Sequence, residues 1–213
     1  MENKTNFPFL NKNHTKVILS QLEKSTCRIY LGVRKTATCF FCKIPYPDIF
    51  HLLPVLIINN HILDENCLKK YCNIRFTIND DNIDKNILID DFRLVFTDKT
   101  LNVTIIEIKQ YDKIIHFLDD DEVILTGEGN SNQSYKESQI YILQYPSGKK
   151  VSYSLEIINN IMEFNINCHS NTDFCSSGSP ILLLSKFKVI GVHRIQLNIS
   201  KTFSIFSGII VSW

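Results

Sequence analysis

The richest chemistry in the chain lies in NTDFCSSGSPILLLSKFKVIGVHR, residues 171–194. Its CSSGSP stretch gathers small residues into a tight turn ahead of an apolar run. A nucleophilic serine needs its hydroxyl at the apex of such a turn, with backbone N–H groups free to face a developing oxyanion. A glycine after the serine and a proline two residues further suit that geometry, although an ordinary Ser/Gly/Pro turn has the same composition. A base is offered by PVLIINNHIL, where His61 closely follows an apolar run; a histidine there is placed to move a proton. His14, His51, His116, His169 and His193 compete for that role. A third segment, LNVTIIEIK, opens at Leu101–Asn102 and on composition alone is a core strand.

The elements that must position these residues read as strands. After a polar opening and a short helix over 16–25 (KVILSQLEKS), β-rich runs alternate with Asn/Asp/Lys/Ser clusters. CRIYLGV, TCFFCKI, PVLIINN, NIRFTI, FRLVFT, NVTIIEI, EVILTG, QIYILQY, VSYSLEI, IMEFNIN, PILLLS, KVIGVHRI and FSIFSGIIV are the candidates. Near-regular spacing of such runs marks an antiparallel sandwich or barrel, so the fold class is all-β. LVF, VTIIEI and YILQY are too continuously apolar for a one-sided sheet, and barrel closure or stacking would bury both faces. The acidic run Asp119–Asp121 divides the strands into two similar groups. A solvated turn is its plainest role, and a boundary between two barrels its second.

Composition narrows the functions. The 213 residues allow one or two domains. With 23 Lys+Arg against 22 Asp+Glu, the net charge of +1 supplies no field for a phosphate backbone or an anionic membrane. Neither nucleic acid nor membrane is therefore expected as a partner. The first twenty residues lack an apolar core and cleavage site of the signal-peptide kind, and the longest apolar runs are too short to span a bilayer. A cytoplasmic protein with mostly reduced thiols is expected, the seven cysteines being an odd number. Cys39-x-x-Cys42 and Cys67-x₄-Cys72 raise a zinc site. Residues three apart on a strand point to opposite faces, which argues against it, so no metal and no cofactor are expected.

Taken together and in order, these motifs resemble the trypsin- or chymotrypsin-like serine peptidases, particularly the divergent branch containing the glutamyl endopeptidases. The family motif Gly-Asp/Asn-Ser-Gly-Gly/Ser-Pro reads here Cys175-Ser176-Ser177-Gly178-Ser179-Pro180, which puts the nucleophile at Ser177. LIINNHIL matches the context of the family base at His61, and LNVTIIEI matches that of the orienting acid at Asn102. Base, orienter and nucleophile follow one another in the chymotrypsin order. The resemblance covers the chain from about Cys27 to its end. It implies two antiparallel six-stranded Greek-key β-barrels with the active-site cleft between them. Residues 1–25 would then be an N-terminal extension with a short helix, 26–118 the first barrel and 119–213 the second. It also implies a protein or peptide substrate and acyl transfer through Ser177 and His61, with N–H groups of Cys175 and Ser177 holding the oxyanion. In the glutamyl branch, residues at the places of Thr172 and His193 contact an acidic substrate side chain, which implies a preference for Glu or Asp. Ser176 stands where zymogen-activated members carry Asp, so N-terminal cleavage is not expected to be needed.

Two departures qualify the likeness. Asn102 replaces a carboxylate, cannot stabilise imidazolium as an acid does, and can hold the imidazole in the wrong tautomer; the same replacement in trypsin loses about 10⁴ in kcat. Asp90, Asp91 or Asp98 would have to substitute. Otherwise the enzyme is slow, works best at alkaline pH, or is an inactive peptidase fold serving as a peptide-binding or regulatory module. Cys175 replaces a glycine that the oxyanion loop favours. Cys39 replaces another beside it in the family fold, and a Cys39–Cys175 pair gating the oxyanion hole is one expectation; two buried free thiols are the other.

Overall fold

The computed structural model describes residues 10–31, 35–48, 50–70, 73–78, 84–121, 135–162, 165–167, 176–194 and 202–205. The chain enters through helix α1 (Lys12–Ser25), a turn longer than its apolar periodicity predicts. Asn11 explains the difference: its side-chain oxygen accepts the His14 N–H at 2.8 Å, satisfying one of the unpaired donors of the first turn. Ile18 and Leu22 are the buried apolar residues of this helix.

The first sheet contains β1 (Thr26–Leu31), β2 (Lys35–Pro45), β3 (Leu52–Ile58), β4 (Asn73–Ile78), β5 (Lys85–Leu88), β6 (Val95–Asp98), β7 (Val103–Glu107) and β8 (Leu118–Asp119). Its order is β5-β4-β1-β2-β3-β7-β6, and β8 joins β2 in the one parallel pairing among named strands. Helix α2 (Glu65–Lys70) sits between β3 and β4. The second sheet contains β9 (Gln139–Gln144), β10 (Ser152–Ile157), β11 (Asn160–Met162), β12 (Asn165–Asn167), β13 (Pro180–Leu183), β14 (Val189–Arg194) and β15 (Thr202–Ile205), in the order β10-β9-β13-β14-β15-β12-β11. The architecture is the two-barrel all-β arrangement expected. The sheets number eight and seven strands among the described residues, not six each, because the short β5 and β8 join the first and the three-residue β11 joins the second. The expected strand EVILTG lies outside the described residues.

The continuously apolar strands are buried on both faces, as their composition requires. Along β2, Ala37, Cys39 and Phe41 point into a cluster with Ile29, Leu56, Phe76 and Ile106. The alternate residues Phe40, Cys42 and Ile44 point into a second cluster with Tyr141, Ile181 and Val189 of the other sheet. β3 repeats the pattern, Leu56 and Ile58 facing one way, Val55 and Ile57 the other. Each of these large side chains contributes roughly 1.5–3 kcal/mol by leaving water. The inner cluster holds the first sheet closed, and the outer one fastens the two sheets together. No helix among the described residues is long and apolar enough to cross a membrane.

Candidate active site

Ser177 lies in a turn that leads directly into β13. Ser179 N–H donates to the Ser176 carbonyl at 3.1 Å, closing that turn. Gly178 carries φ +89°, in the left-handed region where a side chain is strained. Space forbids a side chain as well: a Cβ there would stand 2.1 Å from the Thr38 carbonyl oxygen. Thr38, fully buried in β2, is the strut beneath the turn. Its N–H donates to the Ser177 carbonyl at 3.2 Å, and its Oγ1 accepts the Tyr145 N–H at 3.0 Å. The hydroxyl oxygens of Ser176 and Ser179 are buried without a hydrogen-bond partner.

His61 follows β3 in a turn built by Asn59, whose carbonyl accepts the N–H groups of Ile62 and Leu63, each at 3.1 Å. The turn is pinned to the β6–β7 hairpin through Asn102. The Asn102 carbonyl accepts Asn60 N–H at 3.1 Å and Asn59 Nδ2 at 3.1 Å. Its side-chain Oδ1 accepts the His61 backbone N–H at 2.9 Å and faces His61 Nδ1 at 3.0 Å. Asn102 has φ 54°, a left-handed conformation that asparagine tolerates better than most residues. The backbone N–H can only donate, so it fixes which end of the amide faces His61. Nδ1 must then carry a proton to bond that oxygen, and Nε2 is the ring's basic nitrogen. The structure thus presents the tautomer a general base requires, against the expectation that asparagine could impose the other.

The two loops lie close together. A Cβ on Gly178 would stand 3.6 Å from the Asn59 nitrogen, so the residue after Ser177 lies beside the residue two before His61. Asp98 and Asp90, considered as replacement acids, are engaged locally: Asp98 Oδ1 accepts Leu101 N–H at 2.8 Å, and Asp90 accepts Phe92 N–H and the Tyr111 hydroxyl. His193 is fully buried on β14, with Nδ1 2.9 Å from the Ser176 carbonyl oxygen. Thr172 and Cys175 lie outside the described residues. Cys39 therefore has no described relation to Cys175; its Sγ lies 3.0 Å from that of Cys27, its cross-strand partner, and both thiols are free. Cys39 and Cys42 belong to different core clusters, on opposite faces of β2. Thr38 and Asn59 were not foreseen, since nothing in TATC or INNH distinguishes a strut from an ordinary strand or turn residue.

The whole arrangement has known counterparts. Deg5 superposes with TM-score 0.67 at 10% identity over 95% of this chain and 94% of its own. Rv3671c from M. tuberculosis H37Rv, a serine-to-alanine mutant in an inactive form, gives 0.63 at 14% identity over 97% and 94%. The chain has the trypsin-like two-barrel fold. A serine endoprotease from Yersinia pestis gives 0.64 at 8% identity, over 96% of this chain and 66% of its own. No protein-family model matches the sequence, and a search of curated proteins finds no match. At these identities the likeness carries the trypsin-like fold alone. The narrower likeness to glutamyl endopeptidases finds no support among these structures, because a few motif residues in so divergent a chain do not define a branch.

Proposed function

We propose that the chain is a serine endopeptidase in which Ser177 is the nucleophile, His61 the general base and Asn102 the orienting group. The reading rests above all on the bond between His61 Nδ1 and Asn102 Oδ1, which leaves Nε2 able to accept a proton. Two of the similar structures are described as proteases, which supports a peptide substrate. In the mechanism, Ser177 Oγ attacks the scissile carbonyl carbon as its proton passes to Nε2 of His61. The N–H groups of Cys175 and Ser177 stabilise the oxyanion, and collapse expels the amine, which takes the proton back from His61. Water repeats the sequence to release the acid and regenerate Ser177. The motif positions Thr172 and His193 are all that would support a preference for acidic residues, and His193 Nδ1 is already engaged by the Ser176 carbonyl.

The neutral Asn102 favours a second reading, a peptidase fold that binds peptides without cleaving them. Fluorophosphonate labelling separates the two. Labelling lost in Ser177→Ala and increased in Asn102→Asp supports the enzyme. No labelling of either the wild type or Asn102→Asp favours the binding module.

A further inference from the structure

We propose that His193 is a positioning residue that sets the Ser177 turn, rather than a reader of substrate charge; the inference rests on the peptidase reading above. Three bonds tie this one residue to the turn. Its N–H donates to the Ser179 carbonyl at 2.8 Å, its carbonyl accepts Gly178 N–H at 3.0 Å, and its Nδ1 meets the Ser176 carbonyl at 2.9 Å. The two main-chain bonds are open to any residue at this position. The third depends on the imidazole: a carbonyl oxygen only accepts, so Nδ1 donates, and the ring is committed on that side to the residue before the nucleophile.

The geometry separates positioning from simple cohesion. The Ser176 carbonyl already accepts Ser179 N–H, so losing the imidazole does not orphan it. What disappears is the second bond, which fixes the peptide plane between Ser176 and Ser177 and with it the aim of Ser177. Thr38 N–H holds the following peptide through the Ser177 carbonyl, but the buried hydroxyls of Ser176 and Ser179 make no hydrogen bonds that would fix the Ser176–Ser177 plane. His193 itself is fully buried.

Three variants test this. In His193→Asn the amide nitrogen can stand in for Nδ1. In His193→Gln it falls nearer the place of Nε2, and His193→Leu has no donor. Saturation kinetics of fluorophosphonate labelling are measured beside thermal stability, together with cleavage of glutamyl and leucyl fluorogenic peptides. The maximal labelling rate is expected to fall roughly 10- to 100-fold in the Leu and Gln variants, a loss typical of a misaimed reacting group, with half-saturation unchanged and Asn recovering most of the rate. The glutamyl-to-leucyl ratio should stay constant throughout. Equal losses in Asn and Gln, rates that merely follow stability, or a changed ratio overturn the positioning role. Failure of both the wild type and Asn102→Asp to label overturns the peptidase reading and this proposal with it, whereas a labelled wild type with unaffected variants overturns this proposal alone.

Discussion

A single oxygen, Oδ1 of Asn102, accepts both the main-chain N–H and the ring Nδ1–H of His61, at 2.9 and 3.0 Å. A carboxylate in its place would make the same two bonds and add a negative charge beside the imidazolium that the proposed mechanism forms at His61. Asparagine here supplies orientation without charge.

Asn102→Asp should therefore raise the fluorophosphonate labelling rate by about 10²-fold, less than the ~10⁴ lost in trypsin, because here the tautomer is already correct. Asn102→Leu should abolish labelling, since it removes the acceptor and places a branched chain at a left-handed residue. Rates of labelling at equal probe concentration decide both.

Gly178→Ala should destabilise the fold by about 3 kcal/mol, from left-handed strain together with collision against a main-chain oxygen. The Thr38 carbonyl belongs to β2 and cannot swing aside as a side-chain tip would. A fall in the urea midpoint with unchanged slope, accompanied by lost labelling, is the expected result.

Arg93 and Asp112 form a nearly solvent-free pair, Nη1 to Oδ2 at 2.7 Å and Nη2 to Oδ1 at 3.1 Å. Asp112→Ala strands the guanidinium and should cost about 3 kcal/mol, because an unpaired buried charge is far worse than a buried pair. The double variant Arg93→Met, Asp112→Leu should recover part of that loss. Chemical denaturation of Arg93→Met, Asp112→Leu and their double variant measures the coupling, beside Asp112→Ala for the loss.

Stability should decline on the alkaline side. Burial pushes the thiols of Cys27 and Cys42 well above their usual range, and burial followed by the hydrogen bond to Asp121 raises Tyr135. These groups hold their protons to higher pH folded than unfolded. Their contribution is complete below the unfolded values, about 8.5 for thiols and 10 for tyrosine, and is lost as pH rises past them. Tm should be level to about pH 8 and fall beyond it, with a shallower fall in Cys42→Ala; a Tm that climbs between about pH 8.5 and 10.5 contradicts this.

Most strands were legible because alternation and β-branched runs register directly in sequence: NIRFTI is β4 residue for residue. Helix α2 leaves no periodic trace in the sequence although Asp64 accepts Cys67 N–H at 2.8 Å, a helix-start signal, because six residues are too few to develop periodicity. β5 was missed for a similar reason: KNIL is short and only Ile87 is buried. His61 and Asn102 could be paired through their neighbours. The bond from His193 to Ser176 could not, since nothing in VIGVHRI tells where the ring turns once β14 is paired with β13.

The two-faced burial of β2 and β3 bears on whether the halves of the molecule can live apart. Severed from the second sheet, the first would present Phe40, Ile44, Val55, Ile57 and Ile105 to water as one greasy wall. Helix α1, first in the chain, is bonded across the divide, Gln21 Nε2 to the Phe187 carbonyl at 2.9 Å. Neither fragment should be monodisperse when expressed by itself, while the two produced together should find each other and reconstitute the native molecule.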